Sequence, residues 1–244
     1  MPRDKPLPEA GYIIFGDSFA RIFTLVSNPE VGVKAFKGAT AKGLTKEANE
    51  NRADIVKVLS TRPDTQCSVF VFGNVDVHMS HYYNKYAREP PVEPDLKAIA
   101  DEYVGFVAGL PGAERAIIGA YPSSLLEAEA VPQSLHAYGV LTEEQAAKID
   151  TKDCTLDLRQ GRAREFNTYL KAACASATPA VTYYDVFDEL IDPDTLQLRP
   201  EYLDISDFNI QCVSLRPSQS AKHTSGTHPS HPCYRILLAL LALL

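Results

Sequence analysis

The chain has 244 residues, 45% hydrophobic and 23% charged, with a formal net charge of −7, a balance that suits one globular domain with room for a sizeable core. An acidic surface attracts neither nucleic acid nor an anionic membrane, so neither is expected as the main partner. A small neutral or weakly charged substrate fits better.

The first ten residues are polar and proline-rich, without the apolar run of a signal peptide, so a cytoplasmic location is expected. Tyr12, Ile13, Ile14 and Phe15 read as a buried strand, and a helix-period pattern (Phe19, Ile22, Phe23, Val26) starts directly behind it. Gly16 lets the chain turn sharply. Ser18 therefore falls at a strand-to-helix junction, where the first N–H groups of the helix lack intrahelical partners and the dipole is positive. A serine hydroxyl there stands beside ready stabilisation for an oxyanion; the competing use of Asp17 or Ser18 is to cap the helix.

Residues 31–36 alternate apolar and polar and suggest a second strand, running into the small-residue loop 38–45 (GATAKGLT) and a helix to about Leu59. Residues 67–72 form a third, nearly all-apolar strand. It ends in Gly73 to His78, and the next segment, through Pro94, is rich in Tyr, His and Pro and reads as a long, functional loop. A helix over about 95–110, a strand over 115–121, a mixed insertion at about 122–153 with a short helix at 143–149, a long helix over 156–177 and a fifth strand over 181–186 follow. Residues 187–231 read as irregular. Residues 236–244 are the most apolar in the chain yet far short of the ~20 needed to span a bilayer; a buried last helix is expected, with a homodimer contact as the other use of that face. The five cysteines (Cys67, Cys154, Cys174, Cys212, Cys233) are odd in number, scattered and without a CxxC pair. That is the pattern of free, mostly buried thiols in a reducing compartment.

Strands alternating with helices call for a mainly parallel sheet covered on both faces, an α/β sandwich in which ligands bind at the carboxyl ends of the strands. The loops carrying Ser18, Gly38 and Asn74 then gather on one edge. The whole chain, 1–244, reads as a single domain.

Four separated blocks resemble the SGNH (GDSL-type) hydrolases: Gly16-Asp17-Ser18; Gly38; Gly73-Asn74-Val75-Asp76; and Gly226-Thr227-His228-Pro229-Ser230 ahead of Tyr234 to Leu238. The resemblance implies a flavodoxin-like three-layer α/β/α sandwich with a mainly parallel five-stranded sheet. It also implies Ser18 as nucleophile, His228 as general base, and Gly38 and Asn74 as oxyanion donors. The chain departs from the family in two places. Asn74 directly follows the glycine, with Val75 where the family has its asparagine, and a bulge at the strand end is one way to aim the Asn74 amide inward. Ser225 stands where an aspartate normally precedes the histidine by three residues. Either a Ser18–His228 dyad operates, or an acid from elsewhere supports the ring, with Asp207 preferred over Asp204. Gln211 follows these acids where a histidine would complete the block, which favours a degenerate member.

Other chemistry has less support. The loop 38–45 approaches the phosphate-binding pattern, but Leu44 replaces its lysine. His78 and His81, and His223, His228 and His231, form two clusters that with Asp76 supply enough ligands for zinc, without a metal-site spacing framework. His136 reads as a surface residue of the insertion. No GxSxG elbow is present, and no cysteine has a context that depresses its pKa. Tyrosines of residues 78–86 are candidates to line a pocket, or to seal the end of the third strand. Arg21 and Lys42 are placed to meet an anionic group or to lie on the surface. The reading reached is a serine hydrolase cleaving a small-molecule ester, or transferring its acyl group, with no metal or organic cofactor. The alternatives are a binding protein that kept the fold and lost the chemistry, and a metal-dependent enzyme built on the histidines.

Overall fold

The computed structural model describes residues 4–9, 11–26, 28–112 and 114–202. His228, Asp207, Cys212, Cys233 and the expected closing helix lie outside the described residues.

Six strands form one sheet: β1 (Asp4–Lys5), β2 (Gly11–Gly16), β3 (Val31–Ala35), β4 (Thr65–Val71), β5 (Glu114–Ile118) and β6 (Thr182–Tyr184), in the order β1-β3-β2-β4-β5-β6. The sheet exceeds the five expected strands by β1, a two-residue charged edge that pairs antiparallel with β3 through Asp4 opposite Lys34. So short a strand carries no periodic pattern. It is held by side chains: Asp4 Oδ1 accepts from the Ala35 N–H at 3.1 Å, and Lys5 Nζ donates to the Val26 carbonyl at 2.8 Å. The other five pair in parallel, with Gly16 opposite both Ala35 and Val71, in the flavodoxin-like order. Their order reverses between β2 and β4, where a crevice opens at the carboxyl ends.

Alternate strand residues feed two cores. Ile13, Phe15, Phe70, Phe72 and Ile117 face α2 (Glu50–Ser60), α4 (Leu96–Ala108) and α7 (Leu156–Ser176), which contribute Ile55, Tyr103 and Phe166. Ile14, Val33, Val69 and Ile118 face the other way, onto a 3-10 helix (Ser18–Leu25) and the segment between β5 and α7. That segment contains residues 122–153, read above as an insertion. Its α5 (Ala130–Ala137) buries Val131 and Leu135, and its α6 (Glu143–Ala146) buries Ala146, so it helps form the second covering layer.

The end of the third strand and the expected loop through Pro94 are in part helical. They carry a π-helical turn, Asp76–Ser80, running into α3 (His81–Tyr86), with His78 and Tyr82 buried. The polar and aromatic side chains hid the helical period. Cys67, Cys154 and Cys174 are buried free thiols. No helix among the described residues is long and apolar enough to cross a membrane.

Candidate active site

The turn after β2 is shaped by close packing. A Cβ at Gly16 would lie 2.4 Å from the Ala20 Cβ and 2.7 Å from the Val71 carbonyl oxygen, so only glycine lets the strand pass directly into the 3-10 helix. Asp17, not Ser18, is the cap: its Oδ1 accepts from the Phe19 N–H at 2.9 Å, and Oδ2 lies 3.4 Å from the Val75 N–H. The Asp17 N–H is bound by the Val71 carbonyl and that of Ala20 by the Asp17 carbonyl. No hydrogen bond among the described residues takes the N–H of Ser18. The serine is half-buried and borders a cavity of about 370 Å³.

The loop after β3 reaches the same cavity. The Phe36 N–H donates to the Gly16 carbonyl at 2.8 Å, tying the ends of β2 and β3 together. Lys37, Gly38 and Thr40 then line the space beside Ser18. Gly38 has φ +70°, a left-handed conformation that glycine adopts without penalty, and its N–H is also without an acceptor among the described residues. The loop is pinned by Asp76, whose carboxylate accepts from the Ala41 and Lys42 N–H groups at 2.7 and 3.2 Å. These are the first donors of α1 (Ala41–Leu44). A phosphate at residues 38–45 would find them already taken.

Asp17 and Asp76 are both fully enclosed. Burial pushes the Asp17 carboxyl up to about 8 against the pull of its N–H donors, with the Asp76 charge adding to the rise. Burial likewise raises Asp76, to about 6, while the Ala41 and Lys42 N–H groups hold it down. Between them the two carboxyls stitch together the loops that follow β2, β3 and β4.

Asn74 is buried and does not line the cavity. Its Oδ1 accepts from the Tyr121 N–H at 2.7 Å, its buried Nδ2 has no partner among the described residues, and Val75 is the residue of this turn that lines the cavity. His78 grips the same residue from its other side: Nε2 lies 2.9 Å from the Tyr121 carbonyl, and because a carbonyl only accepts, Nε2 carries the hydrogen. Burial lowers the His78 pKa to about 4, so the ring is neutral at pH 7. His81 instead faces Glu93 at 3.3 Å. Among the described residues no three His, Cys, Asp or Glu side chains group as a metal site.

Met79, Ser80 and Tyr83 enter the cavity from the π-turn and α3, so Tyr83 is a pocket tyrosine whereas Tyr82 is sealed in the core. Arg21 lines the cavity and Lys42 does not; Lys37, which sequence reasoning passed over, does. So do Tyr138, Gly139 and Val140 of the insertion, whose residue types carry no signal of that role.

The sheet order and the loops gathered at its switch point give the chain the fold of the SGNH (GDSL-type) hydrolases. Two solved structures of an M. smegmatis aryl esterase match it over 96% of this chain and 100% of theirs. The native form has a TM-score of 0.50 at 9% identity and the inhibitor-bound form 0.51 at 10%. A carbohydrate acetylesterase from Sinorhizobium meliloti covers 96% of this chain and 99% of its own, with a TM-score of 0.49 at 9% identity. No protein-family model and no curated protein matches the sequence.

Proposed function

We propose that the protein is a serine hydrolase of SGNH type that cleaves a small-molecule ester. The carrying observation is that Ser18 and Gly38 border one cavity at the carboxyl ends of β2 and β3, with the capping duty taken by Asp17. On this reading the Ser18 hydroxyl attacks the ester carbonyl while His228 takes its proton. The Ser18 and Gly38 N–H groups bind the tetrahedral oxyanion, and the proton passes to the departing alcohol as the acyl-enzyme forms. Water, or a second alcohol in acyl transfer, then attacks the acyl-enzyme with His228 again as base, and Ser18 is regenerated. Asp207 is proposed to orient the His228 ring. On this reading the oxyanion rests on backbone donors, because Val75 and not Asn74 lines the cavity. Ser18→Ala is expected to abolish turnover of p-nitrophenyl butyrate while the fold, followed by circular dichroism, is unchanged; retained turnover removes Ser18 from the mechanism.

The same Val75 favours one other reading, a binding protein on this fold without hydrolysis. A fluorophosphonate probe separates the two, because only an activated serine reacts with it. Labelling that Ser18→Ala abolishes supports the hydrolase. An unlabelled, folded protein supports the binding role.

A further inference from the structure

The cavity beside Ser18 runs against the charge of the chain as a whole. In a protein of net charge −7, its lining among the described residues holds two cations, Arg21 and Lys37, and no carboxylate. Each cation lies within three residues of a group of the proposed machinery. Arg21 follows Ser18 by three residues in the 3-10 helix, where side chains at i and i+3 eclipse, so it rises from the same face on the order of 6 Å further along the axis. Lys37 immediately precedes Gly38 and is exposed.

Among the described residues neither cation is spoken for. No ion pair among the described residues includes either one, and the Nε of Arg21 is buried with no hydrogen-bond partner. Buried donors of this kind are rare because leaving one unmet is unfavourable, and a planar guanidinium matches the two oxygens of a carboxylate. The rest of the lining is largely apolar, with Met79, Tyr83, Tyr138 and Val140, which suits a hydrocarbon or aryl body.

We propose that the substrate is an ester bearing a free carboxylate, held by Arg21 with Lys37 alongside, so that the enzyme selects anionic over neutral esters. This inference rests on the ester-hydrolase reading above and names its substrate class.

Two matched pairs test it. Mono-p-nitrophenyl glutarate against p-nitrophenyl butyrate places the carboxylate on the acyl side, and 4-acetoxybenzoate against phenyl acetate places it on the alcohol side. In one of the pairs kcat/KM is expected to favour the carboxylate ester at least tenfold. Arg21→Gln is expected to cut that ratio at least tenfold, and Arg21→Lys, which keeps the charge without the fork, to restore part of it. Turnover with no preference in either pair, or a preference that Arg21→Gln leaves unchanged, overturns the inference while the hydrolase reading stands. Calorimetric titration with glutarate separates the two independently of turnover. Glutarate binding to Ser18→Ala that is lost in the Ser18→Ala, Arg21→Gln double variant, in a protein that cleaves no ester, keeps the anion site and removes the hydrolase. Absence of both binding and turnover overturns both.

Discussion

The carboxamide oxygen of Asn74 accepts the Tyr121 N–H at 2.7 Å, joining the turn after β4 to the chain leaving β5. Asn74→Ala removes the acceptor of a buried N–H and is expected to cost about 1–3 kcal/mol of stability. Because Val75 and not Asn74 borders the cavity, turnover measured well below the melting temperature is expected to fall less than tenfold. A loss of ~10²–10³ in kcat is what removing an oxyanion donor produces, and would assign the Asn74 Nδ2 to the oxyanion.

The enclosed carboxyls predict a pH dependence of stability. Burial raises Asp17 to about 8 and Asp76 to about 6 from an ordinary value of 3.8. Between pH 4 and 8 the unfolded chain has released protons that the folded chain retains, so stability falls as pH rises through this window, on the order of 1 kcal/mol per pH unit for each group still protonated in the fold. Asp17→Asn keeps the acceptor for the Phe19 N–H and removes the titration. Denaturant midpoints are expected to decline less steeply between pH 6 and 8 in this variant than in wild type. Equal slopes would refute the assignment.

Asp76 links the turn after β4 to the first donors of α1. Asp76→Asn can present only one accepting oxygen to the two N–H groups and places an NH2 against the other. The expected loss is about 1–3 kcal/mol, and the loop bearing Gly38 loses its tether. An increase in amide exchange at Ala39 and Ala41, alongside reduced kcat, is the expected signature; unchanged exchange there would show that the loop is held without Asp76.

Arg159 is buried and forms no ion pair with a carboxylate among the described residues. Its guanidinium donates to the carbonyls of Cys154 at 2.8 Å and Leu125 at 2.6 Å and to the Ser123 hydroxyl. Arg159→Ala leaves those carbonyls unmet at about 1–3 kcal/mol each, so a drop in melting temperature of several degrees is expected, and Arg159→Lys should recover only part of it. Wild-type melting in Arg159→Ala would show that water satisfies the carbonyls.

Much of the architecture could be read from residues near one another in sequence. The apolar runs at 12–15 and 67–72 and the glycine behind the first of them announced strands and the turn that presents Ser18. What could not be read depends on partners far apart in the chain. Asp76 meets Ala41 across 35 positions, and the burial of Arg159, a charged residue in the first turn of α7, depends on the carbonyls of Leu125 and Leu126, more than thirty positions away. The helix at 81–86 was hidden because its inward face is made of His81 and Tyr82, residues whose polarity suggests a loop. Lys37 and the Tyr138 to Val140 segment gave no local sign that they share a wall.

That shared wall separates two kinds of inheritance. Ser18 and Gly38 are supported from the sheet through Asp17 and Asp76, whereas Tyr138, Gly139 and Val140 arrive on a segment clipped down at residues 123–126 by Arg159. Composition can change at Tyr138, Gly139 and Val140, outside the buried positions Val131, Leu135 and Ala146, and reshape the cavity without disturbing the support of the Ser18 hydroxyl. On the proposed ester-hydrolase reading, diversification of this scaffold has a natural place to happen there, and exchanging those three residues is the direct route to a new substrate preference.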